Sequence, residues 1–140
     1  MYKGYILFLI TILVSCKSNF KGNTYLQGNW KSGERNEVFP EYTEVYYSNS
    51  EIYYWTSFGL SSNKYKIEDG EYFLFDSSTN NFENTGRLIK LGKDRLTFRT
   101  DQKQVTFLRV EDQKTLEDFV TGKISEEEYI EAFEKRLIEW

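Results

Sequence analysis

The sequence predicts a mainly β protein, an eight-stranded antiparallel up-and-down barrel followed by two short C-terminal helices. Three observations predict it. From residue 26 onward, aromatic and β-branched residues alternate with polar ones, the period-2 texture of half-buried strands. Turn residues interrupt that texture at short, regular intervals, as an antiparallel meander requires. Beyond about residue 112 the apolar spacing changes to three and four, the period of a helix.

The chain begins with an element outside the barrel. Met1-Tyr2-Lys3 carries one positive charge, and Tyr5 to Val14 is an apolar run. At about ten residues the run suits the core of an export signal and is too short to span a bilayer. It ends in Leu13-Val14-Ser15-Cys16. This order resembles the lipobox of bacterial lipoproteins: a branched apolar residue, a tolerated second position, a small residue, then Cys. The resemblance implies a signal peptide over 1–15, cleavage after Ser15, and acylation of Cys16 with diacylglycerol and often a further acyl chain such as palmitate. Several acyl chains on one residue give stable membrane attachment where one would be marginal. Residues 16–25, with the polar run Lys17-Ser18-Asn19, then form a lipidated tether to a domain over 26–140. In that family an Asp directly after the cysteine retains the protein at the inner membrane. Lys17 stands there instead, which implies the outer membrane, and the lack of an acidic run after Cys16 points to its periplasmic side. In a host with one membrane the equivalent place is the outer face of the plasma membrane.

The strands come next. Candidate strands lie at about 27–32, 38–47, 51–58, 63–68, 71–76, 85–91, 94–100 and 103–110. The firmest joint is Asp69-Gly70, between Lys64–Glu68 and Glu71–Phe75. It is the two-residue sequence whose positive φ angles suit a tight hairpin. Ser48-Asn49-Ser50, Gly92-Lys93-Asp94 and Asp101-Gln102 read as further joints. Pro40 sits early in the second strand, a position that suits an edge, a bulge or a strand start. Eight up-and-down strands leave two unpaired edges, and closing the barrel removes both. The alternation places Trp30, Val45, Tyr54, Tyr65, Ile67, Tyr72, Leu74, Ile89, Leu91, Leu96, Phe98, Val105 and Phe107 inward. A slip of one residue would invert any of these assignments.

Leu116, Phe119 and Val120 have helical spacing, and Gly122 suits a C-terminal cap. Ser125-Glu126-Glu127-Glu128 is a capping box, and Tyr129, Phe133, Leu137 and Trp140 then follow as one apolar stripe. Two helices within about 112–140 therefore follow the sheet.

Composition limits the chemistry. Of 140 residues, 18 are Lys or Arg, 22 are Asp or Glu, and none is His, for a formal net charge of −4. Lys3 is the only charge in 1–15, so its removal leaves the chain slightly more acidic. An acidic chain has no electrostatic reason to bind nucleic acid, and any membrane attachment must come from the lipid. Without histidine there is no Ser-His or Cys-His nucleophile pair and no His-ligated metal site. Cys16 is the only cysteine, so no disulfide staples the domain. Asp76-Ser77-Ser78-Thr79-Asn80-Asn81 has oxygens at alternate positions, faintly like a calcium loop. However, Asn81 stands where that loop needs Gly and Arg87 where it needs a bidentate acid, so it reads as a polar loop. Glu68, Asp69, Glu71 and Asp76 could pair for glycoside hydrolysis, but hairpin solvation accounts better for the first three. Glu126, Glu127 and Glu128 complement a helix N-terminus. The sequence thus points to no catalytic residues, metal or cofactor, and the chain reads as a non-enzyme.

Gly28-Asn29-Trp30 opens the first strand, and here the chain resembles the lipocalin-like family. In that family a Gly-x-Trp begins the barrel, and its Trp packs at the closed end against a basic residue of the last strand. The matching residue is Arg109, and an indole face takes a guanidinium by stacking. The resemblance covers about 26–110 and makes Gly28, Trp30 and Arg109 structural residues that close the barrel. It implies an envelope lipoprotein that binds a small apolar or amphipathic ligand, with Tyr54, Tyr65, Tyr72, Phe98 and Phe107 as candidate lining. The aromatic clusters Tyr46-Tyr47 and Tyr53-Tyr54-Trp55 fit either a ligand pocket or a core face backed by surface aromatics. The alternative is a non-enzymatic envelope protein, a complex subunit or an inhibitor, with a filled barrel. Its partner would be another envelope protein, met through an exposed apolar patch around Tyr129 and Trp140. The carrier reading requires a cavity open at the end away from Trp30, and the interaction reading requires a packed interior.

Overall fold

The computed structural model describes residues 25–33, 41–101 and 103–140. The eight strands are β1 (Gly28–Ser32), β2 (Glu44–Tyr47), β3 (Glu51–Thr56), β4 (Gly59–Glu68), β5 (Glu71–Asp76), β6 (Asn81–Leu91), β7 (Arg95–Thr100) and β8 (Lys103–Arg109). Each pairs antiparallel with the next, and β1 pairs with β8 to close the barrel, with Trp30 opposite Arg109 and Ser32 opposite Phe107. Two helices follow, α1 (Leu116–Val120) and α2 (Glu126–Ile138). The chain is therefore a closed eight-stranded antiparallel barrel with two C-terminal helices.

The turn chemistry holds the meander in register. Asp69 and Gly70 have φ of 51° and 82°, so Glu68 sits directly opposite Glu71. Ser48 closes the β2–β3 joint, its backbone N–H and its hydroxyl both donating to the Glu51 carbonyl at 2.9 Å. Thr100 pairs with Lys103 across the β7–β8 joint. A two-residue joint at Ser57-Phe58 lets β4 start at Gly59, four residues earlier than its pattern suggests, because Leu60-Ser61-Ser62 lacks the apolar alternation that marks a strand. β6 likewise starts at Asn81, well before 85, because a turn over 77–80 returns the polar segment directly into pairing with β5. β3 is shorter than its expected range, since Phe58 belongs to the turn. β2 starts at Glu44, later than its expected range: residues 41–43 lead into it without joining the strand, and 38–40, Pro40 included, lie outside the described residues, as do residues 1–24 with the expected signal peptide and Cys16.

The inward face differs from the alternation at one strand. Leu88 is 9% exposed and belongs to the core, whereas Ile89 is 43% exposed. The pairing of β6 with β7 shifts between Leu88 and Lys90, and this bulge turns Ile89 out of the interior. Strict period-2 counting fails wherever an extra residue is inserted. The alternation also overlooks Tyr47 and Ile52, which belong to the same core as Trp30, Val45, Tyr65, Tyr72, Leu96, Phe98, Val105 and Phe107. Tyr54, Ile67, Leu74 and Leu91 pack against it.

The outer face of β2 and β3 has a second apolar cluster. Trp55, Leu116 and Tyr129 are its buried members, with Tyr46, Tyr53, Phe119, Val120 and Phe133 around them. The expected apolar patch at the C-terminus is therefore not free surface. Tyr129 is fully buried, stacked on Phe119 at 5.6 Å and edge-on to Trp55 at 5.1 Å, and Trp140 lies against Tyr42 at 5.5 Å. Both helices begin with capping boxes, at Thr115 with Asp118 and at Ser125 with Glu128.

Candidate functional site: the barrel cavity and its closed end

A meander places its odd-to-even joints at one end of the barrel and its even-to-odd joints at the other. The even-to-odd end is closed. Trp30 is fully buried there, and its indole Nε1 donates to the Leu26 carbonyl at 2.8 Å. The Arg109 guanidinium lies over the ring, 3.9 Å from its centroid. Arg109 also donates to the Gln27 carbonyl at 2.7 Å, to the Lys93 carbonyl at 2.9 Å and to the Tyr25 carbonyl. It thereby ties the approach to β1 and the β6–β7 joint across the barrel end. Gly28 makes this possible: its φ is +116°, and a Cβ there would stand 2.5 Å from Arg109 Nη1. Asn29, between Gly28 and Trp30, faces outward, where its Oδ1 accepts from the Glu117 N–H at 2.9 Å at the start of α1. The three residues of the triplet thus contribute differently: Gly28 leaves room for the arginine, Asn29 holds α1, and Trp30 is the plug.

The described residues do not fill the odd-to-even half of the barrel. A cavity of about 590 Å³ occupies it. Val45, Tyr47, Ile52, Tyr72, Leu74, Phe98, Val105 and Phe107 form its inner wall. Thr43, Thr56 and Thr100 flank the joints at its mouth together with Glu41 and Phe58, and Tyr54, Thr85 and Gly86 are the other described lining residues. Phe58 is 97% exposed at the tip of the β3–β4 joint, an aromatic ring held in solvent beside the opening. The volume falls within the range of small-molecule sites, about 300–1,000 Å³. The described side chains leave this space open, whereas the interaction reading requires a packed interior.

Of the five residues expected as lining, Tyr54, Tyr72, Phe98 and Phe107 face the cavity and Tyr65 does not. Tyr65 sits in the core toward the closed end, where its hydroxyl donates to the Ser48 carbonyl at 2.6 Å. Burial pushes its pKa up to about 12, with a smaller contribution from Tyr46. Tyr47, which the alternation overlooks, lines the cavity instead of Tyr65: its ring meets Tyr65 edge-on at 5.0 Å, and its hydroxyl lies 3.3 Å from that of Tyr72. Burial is the largest cause that raises both Tyr47 and Tyr72 well above the usual phenol range, so both hydroxyls stay protonated. The aromatic clusters divide between pocket and outer face. Tyr47 and Tyr54 line the interior, while Tyr46, Tyr53 and Trp55 belong to the outer cluster. The two-residue steps from Val45 to Tyr47 and from Ile52 to Tyr54 were the available signals for the missed residues. The mouth threonines gave none, because Thr is equally at home on a solvated strand face.

The carboxylates of the β4–β5 hairpin serve local structure. Glu68 pairs with Lys66 at 2.9 Å, and Glu71 accepts from Asn84 at 3.0 Å and faces Arg87 at 3.4 Å. Asp76 Oδ1 accepts from both the backbone N–H and the hydroxyl of Ser78 at 2.7 Å, and these bonds lower its pKa. Among the described residues, no three acidic, His or Cys side chains gather as metal ligands, and no helix is long and apolar enough to cross a membrane.

No family model, curated protein or solved structure matches the chain. The functional reading therefore rests on the geometry of the barrel itself.

Proposed function

We propose that the protein is a membrane-anchored envelope lipoprotein whose barrel, of lipocalin-like type, carries a small apolar or amphipathic molecule without chemical change. The cavity of about 590 Å³ with its apolar inner wall supports this most directly. The stacked Trp30–Arg109 pair behind Gly28 supports the family resemblance. Stacking and packing give the inner wall its affinity for apolar matter, and the end away from Trp30 gives it access.

Binding of the neutral dye Nile red tests the carrier reading. The dye is expected to bind one-to-one with a rise in fluorescence. Leu74→Trp, which fills space at a lining position that is only partly buried, is expected to weaken binding at least about tenfold while the melting temperature stays within a few degrees. Equal dye binding by wild type and Leu74→Trp would show that the dye does not sit in the barrel and would remove the reading.

The lipobox supports anchoring at Cys16, and β1 starts at the closed end, so the tether joins the barrel opposite its mouth. In cells fed labelled palmitate, the wild-type chain is expected to take up label, lose the mass of 1–15 and sediment with membranes. Cys16→Ser is expected to take up none and keep the precursor mass. A wild-type chain without label would sink the anchor.

A further inference from the structure

Resting on the carrier reading above, we propose that the cavity selects an uncharged amphiphile with a hydroxyl or carbonyl group, seated inward on the Tyr47–Tyr72 hydroxyl pair, and rejects carboxylates. The lining decides which charge a guest can carry. None of the described residues that face the cavity is Lys or Arg, so none of them can neutralise an anion. A carboxylate moved from water into such a wall loses its hydration and gains no partner. At the mouth it fares no better, because Glu41, the one carboxylate among the described lining residues, stands there with the same charge. Among the described lining residues a fatty acid anion thus meets no cation at either depth.

A neutral polar group does have one. The hydroxyls of Tyr47 and Tyr72 are 3.3 Å apart, and either can donate to the other. The two oxygens carry two hydrogens, and their mutual bond uses one. The second hydrogen and the remaining lone pairs are left for a guest. The neighbouring Tyr65 hydroxyl gives its own hydrogen to the Ser48 carbonyl and so does not take up the pair's lone pairs. The pair stands on the same wall as Phe98, whose ring lies 4.8 Å from that of Tyr72, so an alkyl chain leaving the pair toward the mouth runs over apolar surface. Both an alcohol and a carbonyl can take the spare donor.

The experiment uses the full chain carrying Cys16→Ser, so that no acyl group of its own can enter the barrel. Bound Nile red is displaced by decan-1-ol or by decanoate at pH 8, where decanoate is ionised. Decan-1-ol is expected to act at a concentration at least about tenfold lower than decanoate. In Tyr47→Phe/Tyr72→Phe, which keeps both rings but removes both hydroxyls, the decan-1-ol requirement, scaled to the variant's own affinity for the dye, is expected to rise about 2- to 10-fold, the worth of one neutral hydrogen bond. If the dye binds but decanoate displaces it as well as decan-1-ol does, the selectivity is overturned and the carrier reading survives. If the double variant responds to decan-1-ol as wild type does, the tyrosine seat is overturned. If Leu74→Trp leaves the dye unaffected, the carrier reading fails first.

Discussion

Glu44→Ala is expected to destabilise the protein by about 3–5 kcal/mol, read as a lowered urea midpoint with an unchanged slope. Glu44 is on β2 with its side chain outside the barrel, yet it is 2% exposed because α2 covers it. Arg136 of α2 grips it with two bonds, Nε to Oε1 at 2.6 Å and Nη2 to Oε2 at 3.0 Å. Tyr42 donates to Oε1 at 2.7 Å and Tyr129 to Oε2 at 2.9 Å. Burial first, and then the Glu44 charge, push both phenols far above their usual range, so they remain donors at any ordinary pH. One carboxylate therefore satisfies a buried guanidinium and two buried hydroxyls. Removing it takes the acceptor from both hydroxyls and leaves the guanidinium with the Lys114 carbonyl at 3.4 Å and no counter-charge at position 44, which explains a cost far above that of a surface ion pair. Tyr42→Phe and Tyr129→Phe, each deleting one donor to a carboxylate that keeps its others, should cost only about 1–2 kcal/mol apiece. The double replacement Glu44→Met/Arg136→Met should cost clearly less than the sum of its single changes, because it leaves no buried charge behind. A Glu44→Ala protein within about 1 kcal/mol of wild type would show that water reaches the Arg136 site and that α2 is not held through it.

The barrel was legible in the sequence because its signals are local. Asp69-Gly70 fixes a turn by its backbone preferences alone, and Tyr65, Ile67, Tyr72 and Leu74 mark an inward face within two strands. The first departures come where a local rule meets a neighbour. Ile89 follows the alternation and is still turned outward, because the bulge depends on how β6 pairs with β7 rather than on Ile89 itself. The polar start of β4 follows β3 as a strand because Tyr53 and Tyr54 opposite it are already in place. The Glu44–Arg136 lock joins residues 92 positions apart, and neither is unusual for its own element: an acid on a strand, a base in the last turn of a helix. The site was half legible for the same reason. Large aromatic residues at alternate positions suggest lining, and four of five candidates face the cavity. Whether a barrel is full depends on summed volumes across all eight strands, and one shifted register changes that sum. Tyr65 shows the limit, since its distance from the cavity is set by how far along the barrel axis it lies, which alternation does not encode.

Trp30→Ala is expected to cost about 3–5 kcal/mol and to open the barrel at its closed end. The indole is among the fully buried side chains of the core, and its loss leaves a void within that cluster that backbone hydrogen bonding on both sides of β1 keeps from collapsing. The Leu26 carbonyl loses its donor, and Arg109 loses the ring beneath it. Trp30→Phe separates these contributions, because it keeps a ring under the guanidinium while removing the N–H and part of the volume. It should fall between wild type and Trp30→Ala, about 1–3 kcal/mol below wild type. Arg109→Met keeps much of the apolar stem while removing all three carbonyl bonds, and so measures what the guanidinium contributes to holding the start of β1 against the β6–β7 joint. The cavity supplies an independent readout. Trp30 is absent from its lining, so Trp30→Phe should bind Nile red as wild type does even though it is less stable. Loss of dye binding in a folded Trp30→Phe protein would instead place the indole inside the ligand site and assign it a binding role in addition to closing the barrel.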